Sequence, residues 1–366
     1  MANIIDYLKW RGDLSFSQDQ ITEIDNIVLA RFSYLPFKDI KLTEIDTVQD
    51  IAYKMKDLDI KNYLWDDDKE FISILGNCNR YKNLKVSDYI EVFDKAAEKQ
   101  FAAVTIWLPD NKKYISFRGT DSSLVGWKED FNMGFMRDVP SQKEAVNYLN
   151  KIANKYTDDF IIGGHSKGGN LAVYSAVFCK DNIKNRIEKV INADGPGFDK
   201  SVILTENYKK ILKKIQTYIP QSSIVGRLLE HEEEYQVVKS VQKGIMQHDI
   251  YSWEIEPTKL IRISNLTNNS EIFNGIVSDW LKNTTPEQRK NFINIIYEII
   301  SETQAQRTSD FRVETAKKIG IILNGYINVN GDDKKEIEHM LKLIIESTLK
   351  ILKESRKAKE MDKQNS

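Results

Sequence analysis

The stretch Phe160-Ile161-Ile162-Gly163-Gly164-His165-Ser166-Lys167-Gly168-Gly169-Asn170-Leu171 decides the fold. Its apolar start predicts a buried strand over Asp159–Gly163. Glycines then make a tight turn, and an Ala/Val/Tyr-rich helix follows over Gly169–Phe178. Gly164 to Gly168 fits G-x-S-x-G, the nucleophile elbow. A serine can attack an acyl carbon only if its hydroxyl stands clear of the backbone, so the turn must be sharp and strained. Gly164 and Gly168 lack the Cβ atoms that would collide where strand and helix pass closely. The helix that begins there aims backbone N–H groups at a developing oxyanion. Lys167 makes a phosphate-binding turn conceivable. Neither G-x-x-x-x-G-K-[ST] nor G-x-G-x-x-G is met, however.

On either side of the elbow, strands alternate with helices. Phe101–Leu108 and Lys113–Phe117 read as strands joined by the turn Pro109-Asp110-Asn111-Lys112. Ser141–Tyr156 reads as a helix with Ser141 at its cap and Ala145, Tyr148, Leu149, Ile152 and Ala153 on one face. Lys189–Ala193 and Ile215–Ile219 are further strands. Alternation of this kind implies a mostly parallel sheet covered on both faces, with ligands beyond the carboxyl ends of the strands. The first ninety residues look helical. Asp19–Tyr34 carries Ile21, Ile24, Ile27, Val28, Ala30 and Phe32 near helical spacing, with Asp19 in the cap position, and Tyr89–Lys99 reads as a short amphipathic helix. After Pro257 the pattern is helical again. Thr285-Pro286-Glu287-Gln288 is a capping box ahead of Phe292, Ile295, Ile296 and Ile299. A later stripe of Ile337, Met340, Leu341, Ile344, Thr348 and Leu352 must cover the core, a partner chain such as a second copy, or both.

The expected architecture is therefore an α/β-hydrolase fold with a helical N-terminal segment and a helical C-terminal appendage. Residues 1–256 form the hydrolase part and 257–366 the helical region. A formal net charge of −1 gives no field that would draw nucleic acid or an anionic membrane. No run of eighteen apolar residues and no signal-like start are present, and the two cysteines, Cys78 and Cys179, make a disulfide framework improbable. A cytoplasmic protein without integral membrane association follows as the expectation.

A serine hydrolase needs a base, an acid to orient it and oxyanion donors. It calls for no cofactor and no metal. The chain has four histidines. His165 is inside the elbow and reads as packing. His339 lies on the late amphipathic helix. His231 opens the acidic run His231-Glu232-Glu233-Glu234, which reads as a solvated helix face. His248, in Met246-Gln247-His248-Asp249-Ile250, lies after the last strand-like segment, where the order Ser…Asp/Glu…His places the base. For the acid, Val190–Ala193 is an apolar strand ending at Asp194-Gly195-Pro196-Gly197. Asp194 sits where it could accept from His248, and the same Asp-Gly pair could instead close its own turn. Asp249 is the weaker candidate, because a residue adjacent to the base rarely reaches its ring. The oxyanion donors should be the Lys167 N–H and a group from Phe117-Arg118-Gly119-Thr120-Asp121, where Thr120 offers an N–H and a hydroxyl.

These residues resemble known families. Phe117-Arg118-Gly119-Thr120 with Trp127 and Asp130 downstream, followed by Gly164-His165-Ser166-x-Gly168-Gly169, resembles the class 3 (fungal-type) lipases. Val190–Phe198 looks like the acid-bearing turn of the pancreatic lipases. The chain is more closely similar to a bacterial family of lipase-like α/β-hydrolases, domain of unknown function 2974. The matching stretches are Asn3–Asp13, Gly164–Ala172, Asp194–Phe198, Pro220–Leu229 and Gln247–Trp253. The resemblance implies Ser166 as nucleophile, His248 as base and Thr120 as oxyanion donor. Two departures stand out. Class 3 lipases usually have leucine after the nucleophile, where this chain has Lys167. They also carry their acid in the segment that here reads Gln221-Ser222-Ser223-Ile224-Val225. That segment has no aspartate, so the role passes to Asp194. A charged Lys167 beside the pocket points to a substrate less greasy than triglyceride, one bearing an anionic group. Pairing with an acid would instead remove it from binding.

The reading that follows is a serine hydrolase cleaving a lipid or small acyl ester through an acyl-enzyme. The alternative is a weak or inactive hydrolase-fold protein that works through protein interaction by its C-terminal helices.

Overall fold

The computed structural model describes residues 2–121, 123–301, 303 and 315–364. Among them, eight strands form one sheet in chain order: β1 (Ile45–Thr47), β2 (Lys85–Asp94), β3 (Lys99–Leu108), β4 (Lys112–Phe117), β5 (Asp159–His165), β6 (Ile187–Ala193), β7 (Ile215–Pro220) and β8 (Tyr235–Val238). The first four pair antiparallel and β4 through β8 pair parallel. The β3–β4 hairpin turns through Pro109, Asp110 and Asn111, the last two at positive φ (59° and 54°).

The helices of the described residues, in chain order, begin with α1 (Ile4–Arg11), α2 (Glu23–Phe32), α3 (Val48–Met55) and α4 (Asp67–Asn77). They continue with α5 (Leu124–Asn132), α6 (Pro140–Lys155), α7 (Lys167–Phe178), α8 (Asp181–Lys184), α9 (Lys200–Ile203) and α10 (Glu206–Ile211). The last four are α11 (Asn268–Lys282), α12 (Pro286–Ser301), α13 (Thr315–Asn328) and α14 (Gly331–Gln364). Because parallel strands follow one another without a reversal of order, right-handed crossovers carry their helices to one face of the sheet. There Ile115, Ile162 and Val190 meet α6 and α7. The other face would stand bare, and the N-terminal helices cover it. Tyr114, Ile161 and Ile191, one residue out of phase, pack with Ile24, Ile27 and Val28 of α2 and with Trp253 and Ile255, which follow β8. This is the α/β-hydrolase fold, with helices at both ends of the chain.

Several local expectations differ from what forms. Tyr89–Lys99 is not a helix but the end of β2 and a turn. Ile90 and Val92 both pack on the crossover-side core, a period of two. A bulge between Ser87 and Ile90, with Asp88 at φ 56°, disturbs the alternation and makes the spacing look helical. Helix α2 is capped by Thr22, whose hydroxyl accepts from Asp25 while the Asp25 carboxylate accepts from the Thr22 N–H; Asp19 pairs with Arg11 instead. Val139, not Ser141, caps α6, with Pro140 at the first helical position and Gln142 Oε1 accepting the Val139 N–H at 2.9 Å. The capping box at Thr285 forms, the Thr285 N–H reaching Gln288 Oε1 at 2.9 Å. The acidic run at His231 is no solvated helix face. Glu233 is buried and binds His231 Nδ1 (3.1 Å), the Tyr208 hydroxyl (2.5 Å) and the Thr217 hydroxyl (2.8 Å). Burial pushes its carboxyl up, but those bonds and the His231 charge pull it down to about 2.

Helices α11 to α14 pack largely on one another, around Ile295, Ile299 and Ile337, and reach the sheet region where α12 lies on α5. Along the late stripe Ile337 and Met340 are buried, whereas Leu341, Ile345 and Leu349 of α14 and Leu323 and Ile327 of α13 face outward.

Candidate active site

At the C-terminal end of β5 the chain reverses through Ser166, held at φ 58° and ψ −135°. A non-glycine residue in such a region costs on the order of 1–3 kcal/mol, which the surrounding packing must supply. The neighbours show how. A Cβ on Gly164 would lie 2.3 Å from the Gly168 carbonyl carbon, and one on Gly168 would lie 2.2 Å from Phe117 O. Strand, helix and β4 thus close on the elbow with no room to relax. Ser166 is partly exposed while His165 and Lys167 on either side are buried. The turn therefore presents one side chain, the serine's.

Asp194 follows β6 directly, fully buried and at φ 52°. Its Oδ2 accepts from His248 Nδ1 at 2.6 Å. Its Oδ1 accepts from the Ser223 hydroxyl at 2.5 Å and the Gly226 N–H at 3.2 Å. The turn after β6 is closed by a different residue: Asn192 Oδ1 takes the Gly195 N–H at 3.0 Å. Asp194 therefore does not close its own turn, and its carboxylate bonds to His248, Ser223 and Gly226 instead. A Cβ on Gly226 would lie 2.3 Å from Asp194 Oδ1, so glycine is needed for that approach. The Gln221–Val225 segment, which lacks an acid of its own, supplies a hydroxyl that holds one.

His248 ends a single 3₁₀ turn, Gly244–His248, with a half-buried side chain. The adjacent Gln247 fastens that turn. Its Oε1 accepts the Ser222 N–H at 2.7 Å, and its carbonyl accepts Trp253 Nε1 at 2.8 Å. Asp249 caps the next turn, accepting the Tyr251 N–H at 3.0 Å, and the aspartate bonded to His248 is Asp194.

On the facing side, the Thr120 hydroxyl donates to Asp130 Oδ2 at 2.6 Å. Burial pushes the Asp130 carboxyl up, against the Lys167 charge and the Thr120 bond, to about 6. The Asp130 carboxyl thus accepts the hydrogen bond that the Thr120 hydroxyl has to give. Of the two donors expected from Thr120, only its backbone N–H remains free to act.

The Lys167 side chain does not line a pocket. Its Nζ is buried and donates to Gln100 O (3.0 Å), Gln100 Oε1 (2.9 Å) and Glu129 Oε2 (3.0 Å), with Asp130 Oδ1 at 3.8 Å. Pairing with an acid removes it from binding, so the expectation of an anionic substrate group loses its basis. Glu129 also accepts the Gln100 and Ser141 N–H groups (3.0 and 2.8 Å), which locks α5 to β3 and α6. Lys167→Met leaves that carboxylate buried without its cation, and a loss of about 3–5 kcal/mol in unfolding free energy is expected. Chemical denaturation of Lys167→Met, Glu129→Gln and the double variant checks it. The losses should be non-additive by about 1–3 kcal/mol, and strict additivity would show that the pair is not coupled.

His165, read from the sequence as packing, is buried but also bonded to the His248 loop: its Nε2 lies 2.7 Å from the His248 carbonyl. No local pattern signals this, because the two residues are 83 positions apart. Among the described residues, no three His, Cys, Asp or Glu side chains converge as metal ligands.

The Rhizomucor miehei lipase propeptide complex is 18% identical over 42% of this chain, with a TM-score of 0.33; the chain spans 57% of that protein's length. M37 lipase is 17% identical, covering 55% of this chain and 69% of its own, with a TM-score of 0.37. Lip2 lipase from Yarrowia lipolytica is 12% identical, covering 46% and 68%, with a TM-score of 0.31. No curated protein matches the chain. The Mbeg1-like family model matches residues 75–298, a span that takes in the elbow, Asp194 and His248 and most of the chain, which belongs to the Mbeg1-like family.

Proposed function

We propose that this protein is a serine hydrolase that cleaves the carboxylic ester of a lipid or small acyl substrate, with Ser166 as nucleophile, His248 as base and Asp194 as the acid. The observation that carries the reading is the 2.6 Å bond from His248 Nδ1 to a buried Asp194, next to an elbow that presents a strained serine. With Nδ1–H held by the carboxylate, Nε2 is the basic nitrogen. It takes the Ser166 proton as Oγ attacks the acyl carbon, and returns it to the departing alcohol oxygen. The acyl-enzyme is then hydrolysed by water through the same base. The backbone N–H groups of Lys167, at the start of α7, and of Thr120 are the oxyanion donors.

An apolar acyl group is supported by the surface around these elements. Trp127 and Phe131 of α5 are 43% and 53% exposed, and Ile245 and Met246, on the turn that carries His248, are 56% and 55% exposed. A cytoplasmic setting belongs to the same proposal; both cysteines are free thiols. Among the described residues no helix is long and apolar enough to cross a membrane.

The second reading, an interaction protein, is favoured by the outward apolar residues of α13 and α14. A fluorophosphonate probe separates the two. Under the ester reading the purified chain labels at one site, peptide mapping finds the adduct on Ser166, and p-nitrophenyl esters of graded length are turned over. Absence of both labelling and turnover would leave the interaction reading.

A further inference from the structure

We propose that His165 is a positioning residue for His248: its Nε2–H holds the His248 carbonyl, and its ring supports the His248 imidazole. The inference rests on His248 being the base. Four observations carry it. The His248 carbonyl, 2.7 Å from His165 Nε2, can only accept, so the proton is on Nε2. The lone pair on Nδ1 then faces the Tyr34 hydroxyl at 3.2 Å, whose single proton is shared between that nitrogen and the His165 carbonyl at 3.0 Å. The two imidazoles lie with centroids 4.4 Å apart and planes 35° apart. Glycine at 119 lets the parts meet: a Cβ there would lie 2.1 Å from the Tyr34 hydroxyl, 2.6 Å from His165 O and 3.1 Å from Ser166 Cβ.

The ring is kept neutral by its surroundings. Burial, then the charges of His248 and Arg31, hold His165 well below the ordinary histidine range, and Tyr34 adds no charge in the working range. A neutral neighbour suits a base that becomes imidazolium during the reaction, because a second cation at this distance would oppose it.

Four of the supporting residues, Asn3, Arg31, Tyr34 and Asp68, lie outside the family match at residues 75–298. The Arg31 guanidinium lies 4.5 Å over the Tyr34 ring and 5.1 Å from the Tyr251 ring, and is forked onto Asp68 at 2.8 and 2.6 Å. The Tyr251 hydroxyl donates to Asp68 at 2.7 Å, and Asn3 Nδ2 donates to the Tyr251 carbonyl at 2.9 Å. The first helices thus fasten the loop that carries His248 at two points: through Tyr34 and His165 before it, and through Asp68 and Asn3 after it.

Two measurements test this. In the full chain, ¹H–¹⁵N correlation of the imidazole nitrogens should show His165 protonated on Nε2 and unchanged from pH 5 to 8. A proton on Nδ1, or a titration near the ordinary histidine value of about 6.5, overturns the proposal. This arm does not depend on activity, so it stays informative if the ester reading fails. In the active enzyme, His165→Phe keeps a ring but loses the donor. It should lower kcat by about 10–100-fold with KM changed less than about twofold, because a small displacement of the base is felt mainly in the chemical step. His165→Gln, which restores a donor near the Nε2 position, should recover most of that loss. Equal kcat in wild type and His165→Phe, or no recovery in His165→Gln, counts against a positioning role.

Discussion

Ser166→Ala and His248→Ala are each expected to lower kcat on a short p-nitrophenyl ester by about 10⁴–10⁶-fold, and the double variant by no more than either alone. The two act as one unit, since a serine without a base is not nucleophilic and a base without a serine has nothing to deprotonate. The oxyanion donors are backbone groups and survive both changes, so residual catalysis on the order of 10³-fold over water should remain. Folding should be untouched by Ser166→Ala, because Ser166 is partly exposed between buried neighbours and the change keeps its Cβ. His231→Ala and His339→Ala are the controls: His231 serves the buried Glu233, and His339 lies on α14, so neither should change kcat by more than about twofold. Inactivation by His231→Ala with full activity in His248→Ala would move the base elsewhere.

What could be read from the sequence depended on how local the cause was. The elbow was legible because its strain demands glycines at fixed spacing from the serine. The hairpin at Asp110 and Asn111 was legible because left-handed turn positions select those residue types. The capping box at Thr285 was legible for a similar reason. By contrast, β2 was misread because a bulge at Asp88 broke the two-residue period that marks a strand. Which of its two fates Lys167 takes, lining a pocket or pairing with an acid, could not be read. Its partners Gln100 and Glu129 lie 67 and 38 positions away, and only the packing of α5 on β3 brings them to it. The same holds for Tyr34 and His165, which are separated by 131 positions. A polar residue beside a nucleophile is ambiguous in sequence, because pocket lining and buried pairing use the same side chains. Serine 223 is a further case. The segment without an acid turns out to hold Asp194 by a hydroxyl and an N–H, a role that no acid-seeking pattern would reveal.

Asp194→Asn is expected to lower kcat by about 10²–10⁴-fold while the chain stays folded. The geometry makes the change selective. Asparagine can keep its carbonyl oxygen toward Ser223 and Gly226, where Oδ1 now accepts two donors. That choice turns the amide NH₂ toward His248 Nδ1, where a carboxylate oxygen accepts at 2.6 Å. Two donors cannot share that contact, so the imidazole must move its proton to Nε2. In that tautomer it cannot accept the Ser166 proton. The opposite flip would restore an acceptor for His248 but set an NH₂ against the Gly226 N–H in a fully buried site, at a cost of about 1–3 kcal/mol. The first arrangement shows as a lower kcat, the second as a lower stability. Measuring both kcat and the denaturation midpoint distinguishes them. The turn after β6 should survive in both cases, because Asn192 closes it. Asp249→Asn serves as the comparison, since its carboxylate caps the Tyr251 N–H and an amide oxygen does that equally well. If Asp194→Asn retains full kcat and full stability, His248 needs no acid, and the triad reduces to a Ser–His pair.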